Sequence, residues 1–234
     1  GAKPSDTPAL YSIMNYADIV LGTWYPSGGI RSVAKAVYEV ARSVGVNFVF
    51  DSPIDEILLQ GKKVKGVMAT GNSYNGDIVV ANADYHHVEQ KMLPKKFRNY
   101  SESYWSNRTM SPSALLFYVG LNNKIEIPHH ALFFDTDFNQ HAKDIYDHPK
   151  WPESPLFYTS CTSKSDPNVA PESGETLFIL IPVATNLIDK EETRKKYFDQ
   201  VISRMELLTK QKIADHIEFY ESYGHKNFIS DFNS

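Results

Sequence analysis

The chain has 234 residues, and its 42% hydrophobic and 22% charged residues are typical of a globular protein with a hydrophobic core. A formal net charge of −4 without any Lys/Arg-rich run argues against nucleic-acid binding. No stretch reaches the roughly 18 apolar residues of a membrane-spanning helix. The single cysteine, Cys161, excludes an internal disulfide framework and multi-cysteine zinc sites, and in its apolar stretch it is predicted to be a small core residue.

Two helices are predicted at the start of the chain. Apolar residues recur at helical spacing from Pro8 to Leu21, and Gly22 ends that helix. A second amphipathic pattern runs from Ile30 to Val44, with Gly45 in the position where glycine commonly ends helices.

Short strands follow. Residues 46–50 predict a buried strand, because the run is apolar and rich in β-branched and aromatic residues. Three further strand-like runs, separated by turns at Gly61 and Gly71, predict an antiparallel meander. These runs cover residues 54–60, 63–70 and 74–84.

The second half of the chain predicts a second sheet and one long helix. Residues 85–107 are predicted to be helical in two pieces broken at Pro94. The helix predicted from Asp189 to Gln211 has Asp189 as its N-cap and Glu192 as the capping-box partner. Aromatic and β-branched runs predict strands at 113–121, 130–134, 155–161, 175–184 and 216–223, so the fold class is α+β.

No sequence motif defines a reaction centre. The histidine pairs His86–His87 and His129–His130 are adjacent residues, which do not face the same way on a helix or strand, so no metal site is predicted. Dinucleotide-binding, phosphate-loop and serine-nucleophile motifs do not occur. The loop Ser27-Gly28-Gly29 has two interpretations: a tight turn before a helix, or backbone placed against a planar or anionic cofactor.

Several short stretches occur in an order that resembles the bacterial phytoene desaturases, which are flavin-dependent carotenoid desaturases. These stretches are Pro-Ser-Gly-Gly at 26–29, Asn-Ala-Asp at 82–84, Met-Ser-Pro-Ser at 110–113 with a strand ending in Gly-Leu-Asn, and Asp-Pro-Asn-Val-Ala-Pro at 166–171. Two departures from the usual pattern are Pro112 between the serines and one extra residue at 172–174.

The resemblance implies that the chain corresponds to the middle of an enzyme about twice as long. The Gly-rich dinucleotide motif of the family precedes this region and a second flavin motif follows it. The implied fold is part of an FAD/NAD(P)-binding α/β flavoenzyme, with a mixed antiparallel substrate-domain sheet, flanking helices and a partial flavin-domain meander. The implied domains are a lid helix at 1–22, part of the flavin-binding domain at 23–85, the substrate domain at 86–225 and a return toward the flavin domain at 226–234.

The resemblance also implies the reaction, an FAD-dependent dehydrogenation of CH–CH pairs in a carotenoid polyene. Ser27, Gly28 and Gly29 would lie beside the flavin, and the backbone of Ile54 would contact its adenine. We expect the chain alone to hold FAD weakly or not at all. The expected wall of the substrate tunnel, with core packing as the competing role for each residue, is Tyr25, Phe117, Phe133 and Phe157.

A carotenoid substrate resides in the bilayer, so the resemblance implies a cytoplasmic protein with peripheral, monotopic membrane contact. Leu10, Ile13 and Met14 of the lid helix could face lipid or the core. Two alternatives stay open: a non-catalytic module that binds an apolar ligand, or a related flavin oxidoreductase of amines or retinoids. The catalytic residues and the oligomeric state are not predicted.

Overall fold

The computed structural model describes residues 3–233, so the first two residues and the last one of the predicted domains lie outside the described part. The chain forms two compact units, Gly1–Val40 with Ser111–Lys226, and Ala41–Met110 with Asn227–Ser234. The predicted lid helix and the later part of the predicted substrate domain fall in the first unit. Residues 86–110 fall in the second.

The strands and helices are numbered in chain order. The strands are β1 Ile54–Gln60, β2 Lys63–Ala69, β3 Asn72–Asn75, β4 Ser113–Leu121, β5 His130–Phe133, β6 Phe157–Ser160, β7 Glu175–Val183 and β8 Ile217–Tyr223. The α-helices are α1 Ser12–Tyr16, α2 Ile30–Ser43, α3 Tyr85–His87, α4 Glu102–Ser106, α5 Phe138–Tyr146, α6 Glu191–Thr209 and α7 His225–Phe232. Short 3-10 or π turns lie at Pro4–Asp6, Ala9–Tyr11, Ala17–Leu21, Val88–Met92, Lys95–Phe97, Thr162–Lys164, Pro167–Val169 and Ala214–His216.

The first unit contains a five-stranded antiparallel sheet in the order β5-β6-β7-β4-β8. β4 and β7 pair over their whole lengths, from Ser113 opposite Val183 to Leu121 opposite Glu175. Along β7 every second residue is buried, as expected for a strand whose two faces meet different surroundings. The five predicted strands of this sheet are confirmed: β4 has both predicted ends, and each of the other four is shorter than predicted by one to three residues.

One face of the sheet packs against α6, and we call it the packed face. Phe117 of β4 lies 5.2 Å between ring centroids from Phe198 of α6, and Phe198 stacks on Tyr220 of β8 at 3.8 Å. Cys161 is fully buried beside this core, which confirms its predicted role, and burial raises the pKa of its thiol to about 11. The core residues shared by the strands and α6 include Leu115, Val119, Leu177, Ile179, Ile181, Val201, Ile202 and Met205.

The predicted capping box at the start of α6 is wrong. The helix begins at Glu191, its N-cap position is Lys190, and no side chain caps it. Asp189 instead accepts hydrogen bonds from Arg194 Nε at 2.7 Å and Nη2 at 2.5 Å. Both side chains are buried. The bidentate guanidinium is a stronger partner for a buried carboxylate than a backbone N–H, so Asp189 turns toward it.

The opposite face of the sheet carries aromatic and aliphatic side chains, and we call it the aromatic face. Of its members, Tyr118 is 48% exposed, Leu132 is 64% exposed and Phe219 is 61% exposed. Phe219 pairs directly with Gly120, where a Cβ would lie 2.3 Å from the ring of Phe219. The missing side chain at Gly120 therefore lets that ring lie against β4.

The second unit contains the three-stranded meander β1-β2-β3, whose first two strands match the prediction. The third predicted strand, 74–84, is wrong, because β3 occupies only Asn72–Asn75. Gly76 N–H donates to the carbonyl of Lys65 near the start of β2, which leaves little of β2 to pair with a longer strand. Ile78 and Val80 beyond this point are more than 80% exposed.

The buried strand predicted at residues 46–50 is also wrong. The segment joins neither sheet of the described part of the chain, and Phe50 is 68% exposed. A buried strand requires neighbouring strands on its edges, and hydrophobic composition alone cannot supply them.

The predicted helices at the start of the chain are confirmed. Residues 9–21 form one helical stretch that ends at Gly22, which has φ +84°. α2 is followed by Gly45 with φ +91°. The predicted break at Pro94 is confirmed, although residues 85–106 form several short helical turns rather than two pieces. None of the helices in residues 3–233 combines the length and apolar character needed to cross a bilayer.

Candidate functional site

The Pro26–Gly29 loop is a tight turn that leads into α2. Gly29 N–H donates to the carbonyl of Pro26 at 2.9 Å, and both glycines have left-handed backbone, with φ +79° at Gly28 and +74° at Gly29. A Cβ on Gly29 would lie 3.0 Å from the hydroxyl of Tyr25. Backbone conformation and local packing therefore account for both glycines. Ser27 and Gly28 are exposed at the tip of the turn.

A buried carboxylate holds this loop. Gly28 N–H donates to Asp166 Oδ2 at 2.8 Å, across a separation of 138 residues. Asp166 is 3% exposed, and its other oxygen accepts from the backbone and side-chain nitrogens of Asn168 at 3.0 and 3.1 Å. The N–H groups of Asn168 and Gly28 lower the pKa of Asp166, so the carboxylate stays ionised. Two of the short sequence stretches that carry the family resemblance thus meet in space.

His129 lies beside the same loop. Its Nδ1 is 2.5 Å from the hydroxyl of Ser165, the residue before Asp166, and its ring meets Tyr25 edge-on at 5.0 Å. Burial lowers the pKa of His129, and the neighbouring His130 lowers it further. Its buried Nε2 has no hydrogen-bond partner among residues 3–233. The ring is therefore held as a neutral imidazole against the loop.

The adjacent histidines do face each other, contrary to the expectation for neighbours on a strand. Their rings stack at 4.2 Å with an angle of 24° between planes. β5 begins at His130, so His129 precedes the strand and does not follow its alternation. Within the described ranges no three His, Cys, Asp or Glu side chains are grouped as metal ligands.

From His130 a chain of ring contacts crosses the aromatic face, and we call it the ring path. His130 lies 5.9 Å from Tyr158 on β6, and its Nδ1 is 2.5 Å from the Tyr158 hydroxyl. Tyr158 contacts Phe178 on β7 at 6.4 Å, and Phe178 contacts Tyr118 on β4 at 5.3 Å. With Tyr25 and His129 at its start, the path runs from the Gly28–Gly29 loop across four strands.

The aromatic residues expected to line a tunnel separate into two groups. Tyr25 lies at the start of the ring path. Phe117 and Phe157 are buried on the packed face, and Phe133 stacks on Phe157 at 4.4 Å on that same face. The structure therefore gives these three phenylalanines the core-packing role that competed with the tunnel role. Sequence reasoning missed Tyr118, Tyr158 and Phe178, although the first two directly follow Phe117 and Phe157 in strands whose alternation was recognised.

Ile54 is the first residue of β1, in the second unit. It pairs with Ala69 and is 37% exposed. An irregularity in the pairing between Ile54 and Glu56 interrupts the ladder there. Its main-chain contact with adenine remains a prediction.

Comparisons with known proteins agree with this architecture. An oxidoreductase from Methanosarcina mazei, known from its crystal structure, superposes with a TM-score of 0.64 over 93% of this chain and 47% of its own. At 15% identity this likeness concerns the fold alone, and it agrees with the predicted α+β fold class.

Sequence relatives confirm the resemblance to carotenoid desaturases. The chain is 35% identical to a carotenoid 3,4-desaturase of Haloarcula japonica, over 100% of this chain and 48% of the relative. It is 29% identical to a zeta-carotene-forming phytoene desaturase of Myxococcus xanthus over 78% of this chain and 35% of the relative. A phytoene desaturase of Neurospora crassa is 30% identical over 78% of this chain and 32% of its own length. The chain thus spans less than half of each of these relatives.

A family model covers almost the whole chain. The model for flavin containing amine oxidoreductases matches residues 1–229. The chain therefore belongs to the family of flavin containing amine oxidoreductases.

Proposed function

We propose that this chain is the substrate-binding portion of an FAD-dependent carotenoid desaturase, which dehydrogenates carbon pairs of an apolar polyene. The observation that carries the proposal is the ring path on the aromatic face of the sheet, which starts at the Gly28–Gly29 loop. The names of the sequence relatives supply the reaction type.

The ring path suits a polyene because such a substrate offers almost no hydrogen-bonding groups. Its binding energy must come from apolar burial, at roughly 25 cal/mol per Å² of surface removed from water. Tyr118, Tyr158 and Phe178 present flat, rigid rings that bury large areas with little loss of side-chain entropy. These residues, together with Tyr25, form the proposed substrate wall in place of Phe117, Phe133 and Phe157.

The Gly28–Gly29 loop fits the close approach of a planar cofactor. Ser27 and Gly28 are exposed, and Gly28 presents no side chain. The N–H groups of Gly28 and Gly29 already donate to Asp166 and Pro26, so the loop would offer van der Waals contact rather than those two donors. A bound flavin supplies the electron acceptor, and the residues of this chain orient the polyene and exclude water from it. The backbone of Ile54 is the proposed adenine contact.

Peripheral membrane contact through the first helical stretch belongs to the same proposal, with the protein on the cytoplasmic side. Leu10, Ile13 and Met14 are each more than 60% exposed, which leaves an apolar surface for lipid. In a liposome-flotation assay, the complete protein should float and its Leu10→Asp/Met14→Asp variant should sediment. If that variant still floats, these residues do not mediate membrane contact.

The reaction is tested by expressing the complete protein in cells that accumulate phytoene or later carotenoid intermediates and recording the pigment spectrum. Longer-wavelength pigments are expected, because each new double bond extends the conjugated system. A Tyr158→Ala/Phe178→Ala variant should lose the products while keeping its flavin absorbance. Unchanged pigments with the parent protein and every supplied carotenoid would contradict the proposed reaction.

A further inference from the structure

We propose that Asp166 is a positioning residue that fixes the Gly28–Gly29 loop at the start of the ring path. Its effect on catalysis rests on the function proposed above, whereas its effect on the loop does not. Asp166 lies in the short stretch Asp-Pro-Asn-Val-Ala-Pro, for which motif analysis provided no chemical role.

The hydrogen bonds within the loop join it to the start of α2 rather than to the sheet, since Ser32 Oγ donates to the carbonyls of Ser27 at 2.9 Å and Gly29 at 2.7 Å. The turn closes through the Gly29–Pro26 hydrogen bond, while the neighbouring Trp24 is 88% exposed and Ser27 is exposed. The two glycines have the widest backbone freedom of any residues. The bond from Gly28 N–H to Asp166 instead ties the tip of the loop to a segment 138 residues away, between β6 and β7.

The carboxylate is built for this role. Both of its oxygens accept N–H groups, Oδ1 from Asn168 and Oδ2 from Gly28. The Asn168 bonds fix the orientation of the carboxylate, so that Oδ2 points at Gly28. An amide cannot reproduce this arrangement, because it has one acceptor oxygen and would place an NH₂ group against one of the donors.

A second restraint acts on the other side of the loop. Ser165 contacts His129 Nδ1, His129 packs edge-on against Tyr25, and the Tyr25 hydroxyl lies beside Gly29. The backbone N–H of Cys161 donates to the carbonyl of His129 at 2.7 Å, which joins this arm to the end of β6. Residues 165 and 166 thus hold both glycines from consecutive positions of the chain.

A loop that is loosened should misplace the reacting carbons without removing the substrate wall. The expected result for Asp166→Asn in the complete enzyme is a lower kcat with little change in KM for the carotenoid, since the ring path is intact. The flavin absorption spectrum should also change, because the packing beside the cofactor is altered.

The experiment compares Asp166→Asn with Asp137→Asn by hydrogen-exchange mass spectrometry on the complete protein. Asp137 is a suitable control because one of its oxygens, Oδ1, accepts both N–H groups that it caps, and asparagine keeps that oxygen. In peptides covering residues 24–32, Gly28 should exchange about tenfold faster or more in Asp166→Asn, as expected for loss of a charge-assisted hydrogen bond. It should be unchanged in Asp137→Asn.

Equal exchange in the two variants would overturn the positioning role. Faster exchange in a protein that oxidises no carotenoid would keep the positioning role and count against the proposed function instead. If Asp166→Asn does not fold, Asp166→Glu carries the test: it keeps two acceptor oxygens at a longer reach and should raise the exchange of Gly28 by a smaller factor. Exchange identical to that of the parent protein would overturn the role.

Discussion

The two faces of the five-stranded sheet differ although they are formed by alternate residues of the same strands. The packed face is mainly aliphatic and almost fully buried against α6; Leu115 and Ile179 are 0% exposed. The aromatic face carries a connected row of rings, and Tyr118, one residue from Phe117, is 48% exposed. Burial on one face stabilises the fold, whereas the other face leaves apolar surface exposed, and this is the face proposed above to bind the polyene.

The neighbours Phe117 and Tyr118 allow the sharpest test of this division. Phe117→Ala should lower the free energy of unfolding by about 4 kcal/mol, because it removes a fully buried ring from the core. Tyr118→Ala should change it by less than about 1 kcal/mol, since its ring is half exposed. Denaturant unfolding of both variants measures the difference. Similar losses in the two variants would mean that both faces are structural.

The buried pair Asp189–Arg194 tests whether polar contacts at the edge of the packed face also support the fold. Arg194 reaches from α6 toward Ser222 of β8, at 3.3 Å. Asp189→Ala should lower the free energy of unfolding by about 3 kcal/mol, because it leaves the buried guanidinium of Arg194 without the Asp189 carboxylate. The matched control is Asp199→Ala on α6, where the ion pair with Lys195 is exposed to solvent and its loss should leave the free energy of unfolding nearly unchanged. Equal unfolding midpoints for these two variants would contradict this role.

Two histidines with a lowered pKa, the buried His141 and the partly buried His129, predict a pH dependence of stability. His141 Nε2 donates to the carbonyl of Pro182 at 2.8 Å and its Nδ1 accepts from Leu156 N–H at 3.0 Å; burial lowers the pKa of His141. Burial also lowers the pKa of His129.

Because the pKa of both histidines is lower in the folded state, the unfolded chain binds more protons below pH ~6.5, so their contribution to stability is fully present above that pH. It should be lost as the pH falls toward the lowered folded-state values, by up to about 1.4 kcal/mol per pH unit for each histidine. Unfolding measured from pH 7.5 to 5 should show a smaller slope for His141→Gln. A slope for His141→Gln equal to that of the parent protein would contradict this role of His141.

The smallest effect is expected for Tyr158→Phe on the aromatic face. It removes the hydroxyl that contacts His130 and keeps the ring, so the free energy of unfolding should change by less than about 1 kcal/mol. Thermal unfolding of this variant beside Tyr118→Phe measures the effect. A decrease of more than about 2 kcal/mol in the free energy of unfolding would show that the Tyr158–His130 hydrogen bond, rather than the ring path, organises the aromatic face.

The sequence predicted the strands of the large sheet well because their apolar runs are bounded by turns and polar residues. β4 was predicted with both ends correct, and β7 to within one residue. The predictions failed where a partner distant in the sequence decides the structure. Asp189 turned to Arg194 instead of capping α6, and residues 46–50 joined no sheet.

The candidate site was only partly predictable for the same reason. The sequence indicated an unusual backbone conformation at Gly28 and Gly29, which the structure has. It could not indicate the contact of this loop with Asp166, because the two residues are 138 positions apart. Alternation along β4 and β6 showed that two faces exist, yet it could not say which of them α6 would cover. The tunnel-wall role was therefore predicted for Phe117 and Phe157, whereas it is now proposed for their neighbours Tyr118 and Tyr158.

Gly120 affects how closely a ligand can approach the aromatic face of the sheet. Because Gly120 has no side chain, the ring of Phe219 occupies the position that a Cβ at residue 120 would need. Any larger residue at position 120 would displace the ring of Phe219 away from the backbone of β4. If a long, rigid hydrocarbon binds on the aromatic face, Gly120 therefore determines how closely it can approach β4 at this point.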